Sequence, residues 1–400
     1  MPGWIDQTFV VAKAEGIDLF TSYYGVFQGN PVGGLSHEAA YSHLLVFGGE
    51  VNLERHLGWR GASLILSGLN ATGRNLSDDV GNFFTVSQAY TSQTFALSNL
   101  ALRQELFDRR IEFRVGRMGP GQFFASLPAT GLQVSGGING NPASLSANIP
   151  FGTSTGTTWA AFLKVNPTKT TYASGGVFQA SPRSGNRDYH GVDFSIRPGD
   201  GTLVLGEIGW HPTFGRTNHE TTSDTPVVKT SLAVSPGLPG IYKLGAYFAN
   251  YTFSDFQGGT ESNAVGFYAM GQQMLWRNAD RPDQSFSLWG GLTYSPQQTI
   301  AEAPLMGFFG AIYQSLIPSR DDDQLLFTAL MTTFGRNYAT SQRDLGLGNP
   351  TFETALEASY VIQLGKHVSV QPDVQWIVRP GGTGSIPNAL VLGVQVTAQY

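Results

Sequence analysis

The sequence predicts an all-β fold, a transmembrane antiparallel β-barrel of about 16 to 18 strands with short turns at one end and long loops at the other. Three observations predict it. Strand-length segments alternate oily and polar residues along most of the chain. Charged residues are 13% of the total, against about 25% in an ordinary soluble domain, while Gly reaches 50 of 400 and aromatics 12%. The mean hydropathy is only -0.09. No stretch approaches the roughly 20 apolar residues of a membrane helix, whereas a barrel hides its hydrophobicity in alternation.

No Pro-, Ser- or charge-biased linker divides the chain, so residues 1–400 read as one domain, with residues 1–15 as an N-terminal periplasmic segment. Met1-Pro2-Gly3-Trp4 lacks the basic start and apolar core of a signal peptide, so an exported protein would carry this numbering in its mature form. There is no cysteine for disulfides or thiolate metal sites. A net charge of -5 provides no basic face for nucleic acid.

The expected strands are residues 17–27, 43–53, 60–69, 95–107, 111–118, 159–165, 172–180, 190–196, 203–211, 241–252, 265–276, 286–294, 305–316, 325–334, 353–364, 368–378 and 390–400. Gly, Asn, Asp and Pro separate them, as in an antiparallel meander, and no helical stripe interrupts it. The last strand shows the pattern best: Leu390, Leu392, Val394, Val396, Ala398 and Tyr400 form an oily face opposite Val391, Gly393, Gln395, Thr397 and Gln399. It should pair with residues 368–378 on one edge and 17–27 on the other, with Tyr400 at the periplasmic interface.

Turn length sets direction. Short connections at Asp108-Arg109-Arg110, Asn166-Pro167-Thr168-Lys169, Pro198-Gly199-Asp200-Gly201 and Gly365-Lys366-His367 contrast with long ones at 70–94, 119–158 and 335–350. Short turns belong at the periplasm and long loops outside. These 17 segments are an odd number, and a bacterial single-chain barrel is even. Adding residues 227–234 before a turn at 236–240 yields 18; dropping one segment yields 16.

With oily faces outward, the lumen receives Arg103, Glu105, Glu112, Arg114, Lys164, Lys243, Glu353, Glu357, Asp373 and Arg379. Mixed acids and bases facing one another across a constriction suit uncharged polyhydroxylated solutes, whose hydroxyls both donate and accept. Alternatively these charges pair and stiffen the wall. The long segment after Arg117 opens with Gly119-Pro120-Gly121-Gln122-Phe123-Phe124 and continues rich in Gly, Ser and Asn. It either folds inward, with Phe123 and Phe124 as a surface for a sugar ring, or covers the outside.

Several segments resemble the carbohydrate-selective outer-membrane porins of the OprB type: Gly29-Asn30-Pro31, residues 113–118, 240–247 and 272–277. The clearest are the Glu353-x-x-x-Glu357-x-x-Tyr360, Gln371-Pro372-Asp373-x-Gln375 and Pro380-Gly381-Gly382 elements, in family order. The resemblance implies about 16 strands, passive uptake of monosaccharides and related small polyhydroxylated solutes, and a charged constriction partly built by the inward loop. By position it implies Arg114, Arg117, Glu353, Glu357, Asp373 and Arg379 as pore or wall residues, although Arg379 stands where the family often has a neutral residue. Its implied partners are sugars in transit, outer-membrane lipid and lipopolysaccharide, and an assembly machinery that reads the strand ending in Tyr400. It leaves monomer or homotrimer open, and implies an integral location in the outer membrane of a Gram-negative bacterium.

A general porin for other solutes, a barrel enzyme and a closed structural or adhesive barrel are the rival readings. Glu353 and Glu357 would lie about 13 Å apart on one face, beyond the roughly 5–10 Å of glycosidase carboxylates. No metalloprotease motif or phosphate loop occurs, and His190, His211 and His219 lack ligand spacing. Nothing in the sequence calls for a cofactor or metal.

Overall fold

The computed structural model describes residues 4–91, 94–215 and 237–400. Its strands are β1 (Ile17–Val32), β2 (Ala39–Asn52), β3 (Ala62–Gly73), β4 (Thr94–Leu106), β5 (Ile111–Met118), β6 (Thr158–Val165), β7 (Thr171–Ala180), β8 (Gly201–Trp210), β9 (Thr213–Phe214), β10 (Leu238–Ser254), β11 (Thr260–Arg277), β12 (Ser285–Tyr294), β13 (Leu305–Gln314), β14 (Gln324–Thr333), β15 (Phe352–Gln363), β16 (Val368–Val378) and β17 (Ala389–Gln399). Each pairs antiparallel with its chain neighbours, except that β8 passes over the two-residue β9 to pair with β10. Sixteen strands therefore form the wall among the described residues.

The wall closes where the alternation of the last strand requires it to. β17 lies between β16, with Leu390 opposite Trp376, and β1, with Leu392 opposite Gly29. Each of its faces then meets a different solvent: Leu392 and Val396 are exposed on the outside, while Val391 and Gln395 are buried within. The chain end is fixed in turn. Tyr400 exchanges backbone hydrogen bonds with Thr21 (2.9 and 3.0 Å) and stacks on His367, ring centroids 4.3 Å apart. A helix at Trp4–Ala14 leads into β1 and brings Phe9 to 5.7 Å from the Tyr400 ring.

Pro372, in the middle of β16, has no N–H for the ladder. The β15–β16 ladder has a gap there, between Ser359–Asp373 and Ile362–Val370, with the register unchanged on either side, so the missing donor falls where pairing is already interrupted.

Two expected features are corrected. Residues 190–196 join no sheet ladder and lie in the β7–β8 connection, which spans 181–200. Their alternation is real, but the segment lies on the outside of the wall, with Val192, Phe194 and Ile196 exposed. The turn expected at 198–201 is accordingly the end of a long outer connection. Removing that one segment restores an even count, without the alternative strand at 227–234, which lies outside the described residues together with His219 and the start of the 236–240 turn; Leu238–Gly240 belong to β10. The 335–350 connection holds a helix at Arg336–Asp344, none of whose residues is buried, so it carries no apolar stripe in the sequence.

Candidate functional site

The lumen is occupied by two connections from the long-loop end, residues 74–91 between β3 and β4 and residues 119–157 between β5 and β6. Their apolar side chains turn inward. Phe84, Val86, Phe124, Leu127, Ile138 and Leu145 are buried against lumen-facing Phe162, Phe178, Leu203, Leu205, Leu326 and Leu330. Burying one such side chain is worth about 1.5–3 kcal/mol, against ~1 kcal/mol for a hydrogen bond, so packing holds the loops in and polar contacts set their position. The inner wall is thus apolar where it receives a loop. Gly176 leaves the space: a Cβ there would stand 3.1 Å from the Phe124 ring.

Buried carboxylates supply that positioning. Glu353 accepts backbone N–H groups of Phe83 (2.7 Å), Phe84 (2.8 Å) and Gly381 (2.7 Å), joining the 74–91 loop to the β16–β17 turn. Glu357, two inward positions along β15, accepts those of Val134 (2.8 Å) and Ser135 (3.0 Å). Glu207 on β8 accepts the Ala125 N–H (3.1 Å) and the Tyr172 and Tyr268 hydroxyls (2.6 and 2.7 Å), with the Lys243 ammonium at 3.6 Å. Asp373 accepts the amides of Gln28 and Gln375, both of which also donate to the Val86 carbonyl. Glu353, Glu357 and Asp373 face inward as expected, yet all are at most 2% exposed, so the loops cover them. Glu207 was missed, although its inward place on the strand at 203–211 was available as a signal.

Open charge lies toward the short-turn end. Arg103 pairs with Glu50 across β3, Glu112 accepts the Arg114 Nε at 2.7 Å and Glu105 that of Arg109 at 3.2 Å. The side chains of the Arg103–Glu50 and Arg114–Glu112 pairs stay 20–27% exposed, so they present charge to the channel. Arg114 lies over the Phe123 ring at 5.3 Å, and Phe123 stacks on Phe162 at 4.2 Å. Lys164 and Lys243 approach the Tyr172 ring at 4.3 and 6.0 Å.

Three residues expected to line the pore are placed otherwise. Phe124 lies within the lumen but is fully buried, packed on Phe162 and Phe178. Arg117 pairs in register with outward-facing Leu100 and Trp159, and donates to the Asp193 and Thr157 carbonyls. Arg379 binds Thr351 and Gly382 at the long-loop rim, over the Phe352 ring.

Between the two inward loops a cavity of ≈ 390 Å³ is lined by neutral side chains, including Ser87, Gln88, Tyr90, Gln122, Asn139 and Asn141. A second, of ≈ 460 Å³, adjoins it through Ser146 and Thr153 and also has no charged lining residue.

Among the described residues no helix is long and apolar enough to cross a membrane. The OprB carbohydrate-selective porin family matches residues 36–400. Porin B of Pseudomonas aeruginosa is 25% identical over 96% of this chain and 88% of its own length. The putative porin QuiX of Acinetobacter baylyi is 21% identical over 89% of this chain and 82% of its own. In fold, the chain is similar to the high-pH structure of Pseudomonas putida OprB, with a TM-score of 0.86 at 22% identity, covering 100% of this chain and 98% of that one. Sixteen closed strands, a lumen narrowed by inward loops and a match over nearly the whole sequence converge on one conclusion: the chain belongs to the carbohydrate-selective porins of the OprB family, integral to the bacterial outer membrane.

Proposed function

We propose that this outer-membrane sugar channel passes monosaccharides and related small polyhydroxylated solutes passively, in contact with Arg103, Glu105, Glu112, Arg114, Phe123 and Lys243. The observation that carries the reading is the partly exposed Arg114–Glu112 pair beside the inward loop's Phe123 ring. Forked guanidinium donors and carboxylate acceptors can hold both ends of a vicinal diol, while an aromatic face covers the C–H side of a sugar ring. Contact of this kind is weak and quickly released, as conduction requires. No covalent step is assigned, and a sugar incubated with the pure protein is expected back unchanged. Residues 1–15 form a periplasmic segment of the single domain, and the assembly machinery reads the strand ending in Tyr400.

The test is planar-bilayer conductance. Glucose should reduce ion current and a larger oligosaccharide should reduce it little; well-folded protein that leaves the bilayer silent would overturn the channel. Arg114→Ala should weaken glucose block severalfold with the barrel intact, and unaltered block would remove Arg114 from the contact set.

A further inference from the structure

β5 stops at Met118 because the chain there turns into the lumen, while β4 runs on to Thr94, beyond its last pairing with β5 at Leu100. The wall therefore has a notch above β5, and part of the β7–β8 connection fills it from outside. The Leu97 N–H donates to the His190 carbonyl (2.9 Å), and the Trp159 indole N–H donates to the Phe194 carbonyl (2.9 Å). Beneath the segment, Arg117 joins the Asp193 carbonyl to that of Thr157, each at 2.7 Å.

Side chains of the segment sort by face. Val192, Phe194 and Ile196 point outward, 54%, 42% and 73% exposed. Asp193 points the other way, accepting from Ser195 Oγ (2.5 Å), Arg183 Nε (2.8 Å) and Arg197 Nη2 (3.3 Å). Arg183 also pairs with Asp200 at 2.8 Å, so the charges are neutralised among themselves. The oily face continues outward-facing Phe95 and Trp159 of the wall, 60% and 38% exposed, with the Phe194 ring edge-on to Trp159 at 5.9 Å.

Its height follows from the strand beside it. From Leu106 at the short turn to Phe95 is about 36 Å of strand at roughly 3.3 Å per residue, or ~28 Å along the normal at a tilt of about 40°, against an apolar band of about 25 Å. The segment lies at the outer rim of that band.

We infer that residues 190–197 are a lipid-seated patch of the barrel wall, with Val192, Phe194 and Ile196 against the acyl chains of outer-leaflet lipid and the notch over β5 sealed beneath them. Continuity with the lipid-facing wall identifies the occupant: the face carries on the oily exterior of β4 and β6 without a break in chemistry. The inference rests on the outer-membrane location and not on which solute passes.

The chain has no cysteine, so single-cysteine spin labels report cleanly. Phe194→Cys and, separately, Ile196→Cys would be labelled in the full chain in liposomes. Leu163→Cys on the outer face of β6 is the lipid reference, and Gln257→Cys in the β10–β11 turn the aqueous one. Retained conductance certifies folding in each variant. The inference expects a ratio of oxygen to water-soluble nickel-chelate collisions matching that at Leu163. A ratio matching that at Gln257 would overturn it. So would low collision with both reagents together with dipolar broadening that vanishes on dilution with unlabelled protein, because a second copy would then cover the face.

Discussion

Glu353 illustrates how a residue can face the right way and still do a different job. Inward position on β15 suggests solute contact, but its two oxygens are spent on three backbone N–H groups from two loops. Removing the acceptor leaves buried donors unpaired, at about 1–3 kcal/mol each. Glu353→Ala should speed hydrogen exchange at Phe83, Phe84 and Gly381 by about tenfold or more, since 1.4 kcal/mol is a factor of ten. Glu353→Gln, which keeps one acceptor oxygen, should do less. Unchanged exchange in both would mean that packing alone holds the loops. Glu207, with Tyr172, Tyr268 and the Ala125 N–H, positions the other inward loop by the same chemistry.

At the scale of elements, the 119–157 loop is held chiefly by its apolar side chains. Phe124→Ala removes a fully buried ring, a change that typically costs 3–5 kcal/mol. The barrel ladders do not depend on that ring, so strand content should persist while single-channel conductance rises and grows noisier; identical conductance would place the constriction elsewhere. The β13–β14 turn offers a pH test. Burial pushes the Asp323 carboxyl up, but the Arg320 guanidinium at 2.8 and 2.9 Å and the Gln363 N–H at 3.0 Å more than offset it, leaving Asp323 below its ordinary value. A depressed folded value stabilises fully above the unfolded value near 3.9, and is lost as pH falls through the folded one. Urea midpoints measured from pH 7 to pH 3 should therefore fall less steeply in Asp323→Asn than in the parent; parallel curves would show that this turn does not contribute.

For the whole molecule, closure rests on β17, which is paired on both edges. Deleting residues 390–400 exposes the ladders of β1 and β16, and an unpaired edge in hydrocarbon costs several kcal/mol per polar group. The truncated chain should lose the heat-modifiable gel mobility of a closed barrel, and a compact heat-sensitive band would overturn that expectation. The alternation of Leu390 to Tyr400, the scarcity of charge and the turn residues already determined an all-β wall, its direction and its seam, because strand periodicity is local and each face reports its solvent directly. The ordered Glu353, Gln371 and Pro380 elements likewise pointed to the family. Tertiary structure alone decided that residues 190–196 cover the wall rather than join it, since hydrogen-bond partners, unlike alternation, are not written in the segment itself. It also decided which inward charges remain open. Arg114 and Glu112 stay exposed while Glu353, Glu357 and Asp373 are sealed, because burial depends on where two loops distant in sequence come to rest.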